Sequence, residues 1–180
     1  MARPTFQRAW ANYPKAGSVT REQLFREIGW DSLIGNANYD NTCAIRISVC
    51  LLRCGVMIRS SAGMKALKGP LKDMPIEIGQ PQMTEQLVEM WGEPDVEVAS
   101  SEAREAIGGM DGIASFDGIT GYLNGRGGHI DVIDGTQTSS TRGYLFWQQT
   151  VTSNAYACGT SCYFGSQKTR FWQLPESQGS

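Results

Sequence analysis

One histidine, His129, stands among 180 residues, so any imidazole base this chain uses must be that one. Basic residues are not in excess. Sixteen Lys and Arg against 18 Asp and Glu leave a formal net charge of −2, which argues against a nucleic-acid partner, because phosphate binding needs a basic face. No apolar run approaches the roughly 20 residues that a bilayer span requires, so no membrane partner is expected. The stretch Met1 to Pro14 lacks the apolar core of a signal peptide. The expectation is a protein that stays in the cytoplasm or leaves by a route that reads no Sec signal. There is no internal repeat and no low-complexity tract. The simplest organisation is a single domain over residues 1–180, long enough to bury a core, with a disordered tail at residues 176–180.

What is present reads as helices first and strands later. Hydrophobic residues at 41% and charged residues at 19% fit a globular chain, and 21 glycines predict many turns. Phe6 and Trp10 lie one helical turn apart, and Pro14 ends that helix. Thr20 and Gln23 have the spacing of a capping box, opening a helix through Leu24, Phe25 and Ile28 to Gly29. Residues 30–42 read as loop, and an apolar helix follows from Cys43 to about Cys54. Gly69-Pro70 and Met74-Pro75 break the stretch 56–81. Thr84 is expected to cap a helix carrying Leu87, Val88 and Trp91, closed by Gly92 and Pro94. Val96 and Val98 alternate as a strand, and Ser101 opens a short helix ending at Gly108-Gly109. Period-two patterning then predicts strands at 112–119, 128–133, 144–151 and 170–174. This order is that of an α+β fold with helices packed on an antiparallel sheet.

The cysteines number five: Cys43, Cys50, Cys54, Cys158 and Cys162. Cys50 and Cys54 read as small buried apolar residues. Cys158 and Cys162 flank a Gly-Thr-Ser loop and are either a short disulfide or two reduced thiols. A zinc site is not expected, because Cys-x-x-x-Cys is not the common knuckle spacing. Cys43 is the chemically distinctive one. It begins a helix, where unpaired N–H groups and the positive dipole end converge and favour thiolate. With His129 at the start of a strand, it suggests a cysteine nucleophile with an imidazole base. The Cys43 N–H, with Asn41 or Asn38, is a candidate oxyanion donor. The glycines before His129, Gly128 among them, leave space for a substrate backbone. The imidazole's orienter is open between Asp131, on the same strand face, Asp134 at the strand end, and the neutral Ser139, Ser140 or Thr160. Arg46 and Arg126 are candidates to pair with a substrate carboxylate, with a solvated helix position the plainer reading of Arg46.

The run from Tyr39 through Asn41 and Cys43 to Ser48 resembles the nucleophile segment of the fourth family of type VI secretion amidase effectors. Further segments match in order. They are Phe6 to Trp10, Trp91 to Asp95, the Gly128-His129-Ile130-Asp131 strand, Cys158-x-x-x-Cys162, and Phe171 to Pro175. The resemblance implies a papain-like cysteine hydrolase fold. It implies a toxin that hydrolyses the amide between γ-D-glutamate and meso-diaminopimelate in peptidoglycan stem peptides, with no cofactor and no metal. It implies delivery by the type VI secretion apparatus into a rival's periplasm and a cognate immunity protein that plugs the cleft. It also implies a Cys158–Cys162 bridge formed on arrival. Tyr39, Asn41 and Gly128 would then be oxyanion or substrate-binding residues.

One departure matters. The family commonly carries its third catalytic residue, an Asp, inside the Cys-x-x-x-Cys loop, whereas this loop is Gly159-Thr160-Ser161. The stretch from Thr136 to Ala157 is also longer than the family leads one to expect. Asp131 is therefore favoured as the third member of a Cys43–His129–Asp131 site. The competing expectations are another cysteine hydrolase on the same scaffold, such as a protease or deamidase, and a non-enzymatic, disulfide-stabilised binding module.

Overall fold

Thr5 accepts a hydrogen bond from the Arg8 N–H at the start of α1 (Phe6–Asn12), which buries Phe6 and Ala9. The Phe6 and Trp10 rings lie 5.5 Å apart, as their spacing requires. The computed structural model describes residues 1–119, 127–135 and 166–176. Helix α2 (Arg21–Ile28) carries the full capping box, with Thr20 and Gln23 each bonded to the other's backbone. It stops at Gly29, whose φ of 80° suits glycine. The loop after it holds two 3₁₀ turns, Asp31–Leu33 and Ala37–Tyr39.

Helix α3 (Cys43–Arg53) is the centre of the helical half. Every residue from Cys43 to Leu52 is buried. A helix enclosed on all sides derives its stability from packing more than from propensity. Its Ser48 hydroxyl donates to the Glu77 carbonyl and accepts from the Glu77 N–H. The Glu77 carboxylate is buried and accepts from the N–H groups of Ser61, Ile78 and Gly79. Irregular backbone between the third and fourth helices is thereby tied to α3.

Helix α4 spans Gln80–Trp91. The expectation of a Thr84 cap is corrected here. The helix begins at Gln80 because Gly79 takes the extended N-cap conformation and Pro81 sits in the first turn, where a missing N–H costs nothing. Thr84 lies inside, its hydroxyl donating to the Gln80 carbonyl.

Then come β1 (Val96–Ala99), α5 (Ala103–Ile107), β2 (Gly112–Ile119), β3 (Gly127–Ile133) and β4 (Lys168–Gln173). The four strands pair antiparallel in the order β1-β4-β2-β3. The architecture is the expected α+β. The strand expected at 144–151 and the Cys158/Cys162 loop lie outside the described residues. Ile113, Ile130, Val132 and Trp172 face the large core built on the helices, with Leu24, Phe25, Ile45, Ile47 and Leu51. Ala114, Phe116, Ile133 and Phe171 face a smaller cluster under α5, with Ala103 and Ile107.

Candidate active site

The N-terminus of α3 is built by two side chains with divided roles. Thr42 occupies the cap position but makes no side-chain bond to the helix N–H groups. Its hydroxyl accepts instead from Arg46 Nε at 2.9 Å. Asn41 supplies the missing acceptor, with Oδ1 taking the Cys43 N–H at 3.1 Å. The Asn41 Nδ2 donates across to the Gly128 carbonyl at 3.4 Å. An N–H on one side and a C=O on the other fix which way round the amide points.

Strand β3 carries His129. Register pairs His129 with Phe116 and Asp131 with Ala114, so the two side chains share one face, while Ile130 and Val132 turn into the large core. His129 Nε2 lies 3.4 Å from Asp131 Oδ2. The other carboxylate oxygen, Oδ1, accepts from the Val132 N–H at 2.8 Å. The Cys43 side chain is close enough to act on the imidazole as well. Burial works to neutralise the ring, but its interactions with the Asp131 and Cys43 side chains outweigh it and push the imidazole from 6.5 up to about 10. The His129 side chain is 14% exposed and that of Asp131 3%. The chain therefore brings Cys43, His129 and Asp131 into one connected group. Asp134 lies past the end of β3, where its charge acts on Asp111.

Other nominated residues have partners inside the protein. The Cys43 N–H and the Asn41 amide, nominated as oxyanion donors, are engaged with Asn41 Oδ1 and the Gly128 carbonyl. The room left by Gly128 is filled from within. A Cβ there would lie 1.9 Å from Gln80 Oε1 and 2.9 Å from the Phe116 carbonyl oxygen. Tyr39 packs edge-on against Phe25 and Trp30, at 6.5 and 6.2 Å between ring centroids. Arg46 is neither solvated nor turned to a cleft. It is 5% exposed and donates to Thr42 and to the Pro14 carbonyl. Burial depresses its guanidinium, offset in part by Tyr13, Asp131 and Cys43. Arg126 and the neutral alternatives Ser139, Ser140 and Thr160 lie outside the described residues.

Two contributors escaped sequence reasoning. One is Gln80, whose Nε2 lies within 3.0 Å of Thr84 Oγ1, Ser115 Oγ and Asp117 Oδ1 while its Oε1 packs on Gly128. No local pattern points to it. The other is Arg46 as a buried cation, and a lone charge inside an apolar run, four residues after a threonine, was a usable signal. Cys43, Cys50 and Cys54 are free thiols. Cys50 is pushed well up by its hydrogen bond with Cys54 and by burial. Among the described residues no group of three or more His, Cys, Asp or Glu side chains is arranged to hold a metal ion, and no helix is long and apolar enough to cross a membrane.

No protein of curated function matches this chain. Among solved structures, the Tae4–Tai4 effector–immunity complex from Enterobacter cloacae is similar, at 24% identity and a TM-score of 0.68, over 96% of this chain and 99% of that one. Tae4 from Salmonella typhimurium, solved with Tai4 from Enterobacter cloacae, is similar at 20% identity and a TM-score of 0.68, over 96% of this chain and 100% of that one. At these identities the likeness is one of fold. The sequence match goes further. Residues 39–172 fit the family model described as type VI secretion system (T6SS), amidase effector protein 4, Tae4, a span that includes Asn41, Cys43, Gly128, His129 and Asp131. By that match, over most of its length, this chain belongs to the Tae4 family of type VI secretion amidase effectors.

Proposed function

We propose that this amidase hydrolyses the γ-D-glutamyl–meso-diaminopimelate bond of peptidoglycan stem peptides, with Cys43 as nucleophile, His129 as acid and base, and Asp131 as orienter. The observation that carries the proposal is that the His129 imidazole lies 3.4 Å from the Asp131 carboxylate and also interacts with Cys43, at the head of α3. In the first step the Cys43 sulfur, as thiolate, bonds to the γ-carbonyl carbon. The C–N bond breaks as the His129 imidazolium gives its proton to the departing diaminopimelate amine. The neutral imidazole then takes a proton from water, and hydroxide adds to the thioester. The C–S bond breaks, and a free γ-carboxylate leaves. An imidazole held protonated to about pH 10 is in the acid form that the first step needs. Asp131 stabilises that cation and aims the ring, and the positive end of α3 lies at the reacting sulfur.

The same reading has the protein act in the periplasm of a rival cell after type VI delivery, where a Cys158–Cys162 bridge would form. A cognate immunity protein would cover the cleft, in keeping with the Tai4 partner of the Tae4 proteins solved from other bacteria.

Digestion of purified peptidoglycan followed by mass analysis is the test. The wild type should release paired fragments, one ending at γ-D-glutamate and one beginning at diaminopimelate. Cys43→Ala and His129→Ala should release neither. Sacculi left uncut by the wild type, or cut equally well by Cys43→Ala, would sink the assignment.

A further inference from the structure

Asn41 touches both halves of the candidate site. Its Oδ1 accepts from the backbone N–H of Cys43, and its Nδ2 donates to the backbone carbonyl of Gly128, the residue before His129. The two partners are 85 residues apart in sequence (128 − 43) and lie on the helical half and on the sheet. Bridging an N–H to a C=O takes a side chain with an acceptor and a donor on one short, planar group, which among residues of this size only asparagine supplies. Gly128 is blocked on its other side by the Gln80 side chain and the Phe116 carbonyl, which leave no room even for a methyl group. Gln80 is itself anchored to Thr84, Ser115 and Asp117. The start of β3 is thus pressed from one side by Gln80 and tied from the other by Asn41.

We propose that Asn41 is a positioning residue that sets the distance between the Cys43 sulfur and the His129 imidazole by bonding at once to the helix N-terminus and to the strand. This rests on the reading of Cys43 and His129 as the reacting pair. It differs from an oxyanion role, in which the amide would act on the substrate, and from a plain capping role, in which only the Cys43 N–H would matter.

The single histidine makes the test direct, because the imidazole signal in an NMR titration has one source. The ring faces Asp131 from its own strand and Cys43 from α3, and Arg46 and Lys15 act on that same group of charges. The informative variant is Asn41→Ser. A serine hydroxyl can take the Cys43 N–H in the same kind of turn, though more weakly than asparagine, adds no charge, and is too short to reach Gly128. With no substrate present, loss of the bridge should lower the imidazole midpoint by about one unit or more as the thiol draws away. On a defined stem peptide, kcat should fall about 10- to 100-fold with KM nearly unchanged, while the melting temperature stays near that of the wild type. Asn41→Ala should match the first two effects and also lose the cap. If Asn41→Ser leaves both midpoint and kcat at wild-type values, Asn41 only caps the helix and the proposal fails. If kcat falls while the midpoint stays put, the amide acts on the substrate and the proposal also fails. The titration needs no turnover, so it stands or falls separately from the hydrolysis of peptidoglycan by Cys43.

Discussion

The proposed nucleophile and the proposed base of this site are held by different forces. Cys43 sits at the head of a helix whose residues are buried through Leu52, so apolar packing on all sides fixes it. His129 sits near the start of a strand that is paired with β2 and packed through Ile130 and Val132, but whose first residues also meet polar groups: Asn41 on the Gly128 carbonyl, Gln80 against the Gly128 Cα, and Asp131 and Cys43 acting on the ring itself. Packing is strong and indifferent to pH. Polar contacts are individually weaker but respond to charge and geometry. The helix side should therefore govern whether the protein folds, and the strand side how well it works.

The largest expected effect probes the helix. Leu51→Ala, at a fully buried position, should cost about 2–5 kcal/mol in a denaturant titration, while the imidazole midpoint in the folded fraction stays where it was. A shifted midpoint would mean that packing along α3 also sets the strand side, and the contrast would collapse.

The next probes the charge on the strand. The imidazole rises from 6.5 to about 10 on folding, so its protonation stabilises the folded state in full below about pH 6.5, and that contribution is lost as pH climbs through about 10. Unfolding free energy should decline over that window in the wild type and more gently in His129→Gln, which has no proton to lose. Parallel curves for the two proteins would remove the imidazolium from the account.

The smallest in stability sharpens the contrast through function. Gly128→Ala has to displace the anchored Gln80 side chain and press on the Phe116 carbonyl, an overpacking cost of about 1–3 kcal/mol. Its loss of turnover should exceed what the unfolded fraction explains, because His129 follows directly. Activity that tracks the folded fraction alone would show that the strand end tolerates displacement.

Sequence patterns reached as far as their own segment. The Thr20–Gln23 box, the start of α3 at Cys43, and the alternation that puts Ile130 and Val132 on one face and His129 and Asp131 on the other were legible, because each is fixed by neighbours within a turn or two. Thr84 shows where even that range misleads. It has the chemistry of a cap, but Gly79 and Pro81 upstream already provide a start, and its hydroxyl serves the interior. The competing orienters Asp131 and Asp134 were not separable from spacing alone. The strand's course separates them in space, with one carboxylate near Nε2 and the other beside Asp111.

Composition, helix caps, strand period and the family motif thus sufficed to name most of the described elements, the α+β class and the cysteine and histidine worth watching, since backbone sterics and local hydrogen bonds dictate these within a few residues. Which groups meet was another matter. The burial of Arg46, the wedge of Gln80 under Gly128, and the Asn41 amide spanning the helix and the strand depend on segments far apart in the chain. Contacts of that kind exist only once the core has closed and set the spacing between them.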